Sequence, residues 1–179
     1  MKKTKKQLEI IARNIKLLIL DVDGVMTDGG IILDNEGNEL KTFHVRDGHG
    51  IKLLMNAGIG VAIISGRGSK ALEKRAKDLG IKELYQKQEN KIEVYERLLK
   101  KLGISDSETA FIGDEILDIP LLRRAGLPVA VSDAVEEAKG CAMMVTEKGG
   151  GKGAVREVAE FILKAKGLWD GIIGEHSKT

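Results

Sequence analysis

One cysteine, two prolines and six aromatic side chains are all that 179 residues contain of those types. A lone Cys141 can form no internal disulfide and no thiolate metal site, and it fits a reducing compartment. So few aromatics exclude the stacking platforms that grip single-stranded nucleic acid. Charge of one sign is also missing. Twenty-nine Lys and Arg stand against 27 Asp and Glu, a net charge of +2, which argues against binding nucleic acid through phosphate neutralisation. Long hydrophobic runs are absent too. The apolar run from Leu17 to Leu20 stops at Asp21, far short of the roughly 20 residues that span a membrane. The basic start, Lys2, Lys3, Lys5 and Lys6, has the charge of a secretory leader. Glu9, Arg13 and Lys16 interrupt what would follow, and no small-residue cleavage site appears. The expectation is a cytoplasmic protein with no membrane and no nucleic-acid partner, starting in a short helix with Leu8, Ile11 and Ile15 on one face.

What is present is a strand-then-helix rhythm. Short apolar runs at Lys16–Leu20, Gly60–Ile64, Thr109–Ile112, Val129–Val131 and Ala142–Val145 read as buried parallel strands. Between and after them, apolar residues recur at steps of three and four. Ile51, Leu54 and Met55 form one face, Leu72, Ala76 and Leu79 a second, and Ile92, Tyr95, Leu98, Leu99 and Leu102 a third. Val155, Val158, Ala159 and Ile162 form the last. A glycine follows each (Gly58, Gly80, Gly103, Gly167), as expected of left-handed helix caps. The prediction is an α/β, doubly wound, Rossmann-like parallel sheet with helices on both faces. One segment breaks the rhythm. Ile31–Leu33 and Leu40–Val45 flank Asp34-Asn35-Glu36-Gly37-Asn38, which predicts a β-hairpin at about residues 30–45, inserted after the first strand. No linker or repeat divides residues 1–179, so a single domain is expected.

In an open parallel sheet, ligands bind at the carboxyl ends of the strands. The first strand delivers Asp21-Val22-Asp23-Gly24-Val25-Met26-Thr27-Asp28 there, and the second delivers Ser65-Gly66-Arg67. Lys91 stands at the start of the third helix. The next strand delivers Gly113-Asp114-Glu115, with Asp118 a turn later. Carboxylates meeting in one crevice raise one another's pKa unless a cation sits among them. Hard oxygen ligands beside a phosphate suit Mg²⁺. A carboxylate so placed can attack phosphorus to form an aspartyl-phosphate, and a second acid two residues on can move the proton. Ser65 and Lys91 would hold the transferred phosphoryl group. Alone, each fragment reads as a solvated turn or a surface lysine. Their joint order carries the chemistry.

That order resembles the four motifs of the haloacid dehalogenase-like hydrolase superfamily. Within it the chain is similar to the capless 3-deoxy-D-manno-octulosonate 8-phosphate (Kdo 8-phosphate) phosphatase family. The similarity lies in Leu18-Ile19-Leu20-Asp21-Val22-Asp23-Gly24-Val25-Met26-Thr27-Asp28-Gly29, in Phe43-His44-Val45-Arg46-Asp47-Gly48-His49-Gly50-Ile51-Lys52, and in Ile64-Ser65-Gly66-Arg67. It continues in Leu84-Tyr85-Gln86 with Asn90-Lys91, in Gly113-Asp114-Glu115 with Asp118, and in Gly150-Gly151-Lys152-Gly153-Ala154-Val155-Arg156-Glu157. The resemblance implies Asp21 as nucleophile and Asp23 as general acid/base. It implies a Mg²⁺ held by Asp21, the Asp23 main-chain carbonyl and Asp114, with Ser65 and Lys91 on the phosphoryl group. Asp118 would orient Lys91 or a metal-bound water. The family usually has a second Asp where Glu115 stands, so Glu115 is left out of the metal set. Lys87 stands where a glycine is common.

The implied reaction is hydrolysis of a sugar acid phosphate in lipopolysaccharide precursor synthesis. Such a substrate brings a carboxylate, which arginine pairs in bidentate fashion. Arg67 is the foremost candidate, with Arg46 and Arg75 behind it. The sialic-acid-type KDN 9-phosphate phosphatases are expected to carry Glu at position 67, so Arg67 points to the Kdo branch. Two other readings compete: a phosphate-accepting receiver domain, which wants adjacent acids after its first strand, and a non-catalytic tetramerisation module of the same fold. No cap domain fits between the motifs, since 42 positions separate Asp23 from Ser65 and 23 separate Lys91 from Asp114. The family resemblance then implies a homotetramer. Its hairpins would be joined through Ile31, Ile32, Leu33, Leu40, Phe43 and Val45, and the tail Lys166–Thr179 would reach an adjacent site.

Overall fold

Six parallel strands form one sheet in a computed structural model that describes residues 3–176. Lys2 and the end of the expected tail, residues 177–179, lie outside the described residues. The strands are β1 (Leu17–Leu20), β4 (Gly60–Ile64), β5 (Glu83–Tyr85), β6 (Thr109–Gly113), β7 (Leu127–Ala130) and β8 (Met144–Val145), in the order β5-β4-β1-β6-β7-β8. Two further strands, β2 (Ile32–Leu33) and β3 (Glu39–Leu40), make a separate antiparallel hairpin. β1 is the switch point. The chain leaves it toward β4 on one side and later returns to β6 on the other, which opens a crevice at its carboxyl end.

The predicted helices form as α1 (Lys5–Arg13), α2 (Val45–Asn56), α3 (Lys70–Leu79), α4 (Lys91–Leu102) and α7 (Ala154–Ala165), except that Ile15, expected on the first helix, lies buried just beyond its end. Three short ones were not legible: α5 (Ile119–Leu122), α6 (Glu136–Cys141) and α8 (Trp169–His176). On one side of the sheet α7 packs against α1 and α2, and on the other α4 packs against α5 and α5 against α6. Covered on both faces, β1 and β6 are buried at every position, as interior parallel strands must be. Gly58, Gly80, Gly103 and Gly167 all adopt positive φ where their helices end.

Several elements differ from the expectation beyond a one-residue shift at β1 and β6. β5 was missed because it is a half-buried edge strand of three residues, with too few apolar positions to show a pattern. β7 starts two residues earlier than expected and runs through Pro128, a residue that ordinarily argues against an interior strand. β8 is shorter than the expected Ala142–Val145 run. The hairpin is much shorter than residues 30–45, with two residues in each strand. Val45 already belongs to α2, which starts two turns before the apolar face at Ile51 and carries Gly48 and Gly50 inside it. Gly48 allows close packing, since a Cβ there would lie 2.2 Å from Nη2 of Arg75. Phe43 is therefore not a hairpin residue. It packs half-buried against the core, with the Arg75 guanidinium 5.7 Å from its ring centre.

Among the described residues no cap domain is present. The span from Asp23 to Ser65 holds the hairpin, α2 and β4, and the span from Lys91 to Asp114 holds α4, a 3₁₀ turn and β6. No helix of the described chain is long and apolar enough to cross a membrane.

Candidate active site

The sheet register builds the site. Leu20 lies level with Ile63 of β4 and with Ile112 of β6. The next residues in each strand therefore emerge at one edge: Asp21 after β1, Ser65 just past β4, and Asp114 just past β6. Lys91, the first residue of α4, enters the same crevice from the side. Its Nζ donates to Oδ1 of Asp21 at 2.7 Å and to Oδ1 of Asp118 at 2.7 Å, and all three residues are buried. Carboxylate oxygens of Asp21, Asp114 and Asp118 lie within 4.8 Å of one another.

Three acids around one lysine leave an excess of negative charge in a desolvated place. Burial, then the neighbouring Asp118, push the Asp21 carboxyl up to about 6 against the pull of Lys91. Burial, then Asp21 and Asp118, push Asp114 up to about 8. Lys91 is held above its usual range because its acidic partners outweigh its burial. Oδ1 of Asp114 is buried with no hydrogen-bond partner. An orphaned oxygen beside like charges, all of them hard donors, is what a Mg²⁺ site supplies. Asp118 is spent differently. Its Oδ1 takes Lys91, while Oδ2 accepts the backbone N–H groups of Asp114 at 2.9 Å and Glu115 at 3.3 Å. It fixes the lysine and the loop after β6. Glu115 is exposed and accepts from the N–H of Ile116 at 2.7 Å.

The carboxylate of Asp23 turns away from this cluster. It is ion-paired with Lys41, and its Oδ2 lies 3.6 Å from Nε of Arg67. Lys41 and Glu39, both on the hairpin segment, were missed by the sequence reading. Their i, i+2 spacing puts them on one face of an extended strand, and this was the available signal. Nothing local says that this face folds back onto Asp23.

Ser65 is buried, and its Oγ accepts from the N–H of Arg67 at 3.2 Å. The loop after β5 closes over it, with the N–H of Gln88 on its carbonyl at 3.1 Å. In that loop Lys87 has φ +56°, the left-handed region where glycine is unstrained. Arg46 is exposed on the first turn of α2. Arg75 lies over Phe43 with a buried, unpartnered Nε. No hydrogen bond or ion pair among the described residues links either arginine to the acidic cluster.

Glycines seal the floor. A Cβ at Gly24 would lie 2.0 Å from Oδ2 of Asp114, and one at Gly150 would lie 1.8 Å from the carbonyl oxygen of Gly24. The loop before α7 thus lies directly on the turn that follows Asp23. Asp133 holds it through the N–H of Gly150 at 2.9 Å, and Asp47 holds the start of α7 through the N–H of Arg156 at 2.7 Å. A recess of about 640 Å³ beside α1 and α7, lined by Lys5, Arg13, Lys148 and Glu157 among others, does not include the cluster.

Comparison with known proteins agrees with this geometry. A haloacid dehalogenase-like hydrolase family model matches residues 80–158. The chain is 48% identical over 164 residues to the 3-deoxy-D-manno-octulosonate 8-phosphate phosphatase KdsC of Escherichia coli K12, covering 92% of this chain and 87% of that one. The crystal structure of the Yersinia pestis phosphatase of the same name superposes with a TM-score of 0.90 at 49% identity, over 92% of this chain and 89% of that one. The Moraxella catarrhalis phosphatase, solved with magnesium, phosphate and KDO, superposes with a TM-score of 0.94 at 43% identity, over 96% and 98%. With nearly half its residues identical along almost its full length, the chain belongs to the 3-deoxy-D-manno-octulosonate 8-phosphate phosphatase family of the haloacid dehalogenase-like hydrolases.

Proposed function

We infer that the protein is a Mg²⁺-dependent phosphomonoester hydrolase that converts Kdo 8-phosphate to Kdo and phosphate in lipopolysaccharide precursor synthesis. The observation that carries this reading is the buried Lys91 bridging Asp21 and Asp118 beside the orphaned Asp114. Asp21 is the nucleophile: one of its carboxylate oxygens attacks phosphorus, the bond to the sugar oxygen breaks, and an aspartyl-phosphate forms. Asp23 gives its proton to the leaving oxygen, then takes one from the water that hydrolyses the acyl phosphate. Ser65 and Lys91 hold the phosphoryl oxygens as their charge changes, and Asp118 positions Lys91. Asp21, Asp114 and the main-chain carbonyl of Asp23 would hold the Mg²⁺. Bound there, the ion supplies positive charge that relieves the acids and the incoming phosphate. Arg67 binds the sugar-acid carboxylate, and Arg46 and Arg75 are further candidates.

We read residues 1–179 as one phosphatase domain, which the continuous buried core supports. Assembly into a homotetramer is supported by the hairpin. Ile31, Ile32, Leu33 and Leu40 are each at least half exposed on an element too short to stand alone. The tail is helical from Trp169 to His176, α8 packing on α7 with Trp169 under Arg156 and Lys164, and it would reach the neighbouring site from there. A cytoplasmic setting is the reading that the lone Cys141 favours.

The test is phosphate release across a panel of sugar phosphates that includes Kdo 8-phosphate and KDN 9-phosphate, with Mg²⁺ and with EDTA. Kdo 8-phosphate is expected to be preferred and EDTA to stop turnover. Asp21→Asn should abolish turnover while leaving thermal stability unchanged or higher, because it removes a buried charge among like charges. Near-normal turnover by that variant refutes the covalent route.

A further inference from the structure

The carboxylate of Asp23 is gripped from the hairpin segment, and the reaction above gives the residues that grip it no task. Nζ of Lys41 bonds Oδ1 of Asp23, and it also bonds Oε1 of Glu39 at 2.6 Å. The Lys41 side chain is 2% exposed. A lysine is buried only when paired, so the ammonium is fixed in place and fixes Oδ1 with it. Oδ2 is treated differently. Nε of Arg67 lies 3.6 Å from it, beyond hydrogen-bond reach. The Arg67 guanidinium instead donates from Nη2 to Oε2 of Glu39 at 2.8 Å. One oxygen of the acid/base is thus held, and the other is left for a proton.

In-line displacement puts the leaving oxygen on the side of phosphorus opposite the nucleophile, and the Asp23 carboxylate is turned away from the acids around Lys91. A group that hands over a proton must also keep its aim while its own charge changes. A lysine alone would not secure this. Once Asp23 carries the proton it is neutral, and a buried Lys41 would face no anion. Glu39 removes that difficulty, because its Oε1 stays on Nζ whichever state Asp23 is in. We propose that Lys41 is a positioning residue for the acid/base: it holds Oδ1 of Asp23 so that Oδ2 faces the leaving oxygen, and Glu39 keeps Lys41 paired while Asp23 gives up and regains its proton. This rests on the phosphatase reading above. In the step itself the bond from phosphorus to the ester oxygen breaks as the proton on Oδ2 passes to that oxygen. Lys41 keeps all of its protons and sets only where the carboxyl points.

The test is kcat/KM, which reports the steps up to departure of the leaving group, along a series of phosphate monoesters of neutral alcohols, from alkyl through phenyl to p-nitrophenyl. An alkoxide needs a proton to leave, whereas p-nitrophenolate leaves without one. None of these esters brings a carboxylate for Arg67 to meet. Lys41→Met should lower kcat/KM by about 10–10²-fold on the alkyl ester and by less than about 3-fold on the p-nitrophenyl ester, a part of the ~10²–10⁴-fold that acid catalysis supplies. Asp23→Asn should steepen the series in the same sense and further. In that background Lys41→Met should add little, since the two residues act through one carboxyl. Melting and light scattering check that the variants keep the wild-type fold and assembly. Should Met disturb either, Lys41→Gln keeps a polar end without the charge and is expected to steepen the series as well. A loss equal on every ester assigns Lys41 to the fold and overturns the proposal, as does no loss at all. If Asp23→Asn itself lowers every ester equally, the acid/base reading fails. A steep series for Asp23→Asn beside an unchanged one for the Lys41 variants overturns the positioning role alone.

Discussion

Replacing Lys91 with Met removes the one cation that the buried acids share while keeping most of the side chain's volume. Breaking a buried ion pair costs about 3–5 kcal/mol, and here two 2.7 Å contacts go at once. The acids have an escape, which sets the pH dependence. Asp114, at about 8, already binds a proton at neutral pH. Asp21 stands at about 6 with Lys91 pulling it down, so without Lys91 it rises and is protonated as well. A carboxyl whose folded pKa exceeds its unfolded value binds protons more tightly when folded, so its contribution to stability falls as pH rises between those two values. The deficit of Lys91→Met should therefore be small near pH 6 and reach its full size near pH 8. At ~2–4 °C per kcal/mol for a chain of this size, that is a loss of roughly 6–20 °C at pH 8. Mg²⁺ should recover part of it by binding only the folded acids. Turnover should fall by about 10²–10³-fold, the usual cost of one lost donor to a developing charge. The assay is calorimetric melting of both proteins at pH 6 and pH 8, in EDTA and in Mg²⁺. A deficit that is independent of pH and of Mg²⁺ would show that Lys91 is not the countercharge of the cluster.

Three other outcomes are expected. Gly150→Ala forces a methyl group onto the Gly24 carbonyl at 1.8 Å; it should cost about 1–3 kcal/mol or more and most of the activity, and a variant with normal melting and turnover would refute the tight seat of this loop. Arg67→Ala should reduce kcat/KM for Kdo 8-phosphate far more than for p-nitrophenyl phosphate, whereas equal losses would assign Arg67 to the phosphate or the fold. Ile32→Asp with Leu40→Asp should prevent the proposed homotetramer from forming and abolish activity, read by light scattering and phosphate release; an active monomer at micromolar concentration would overturn the proposed assembly.

The motif order was legible because each of three strands is followed directly by a candidate site residue. Asp21, Ser65 and Asp114 each follow a buried apolar run, and parallel strands in register deliver their carboxyl ends to one edge. Lys91 was legible only as a member of that set. The rhythm of apolar steps and terminal glycines likewise located the long helices, because burial on one face demands that spacing. Tertiary structure alone decided the rest. The hairpin ladder stops at Leu40 because Phe43 is drawn into the core and Val45 starts a helix, a competition between elements that no local pattern expresses. Asp118 became a clamp on Lys91 and the β6 loop rather than one more acid among the others. That outcome depends on which donors converge on its two oxygens, across 27 residues in one case. Glu39 and Lys41 carried no chemical signal in the chain. They acquired one when the hairpin folded back over Asp23 and Arg67, since charges distant in sequence take on partners only when the fold removes the water between them.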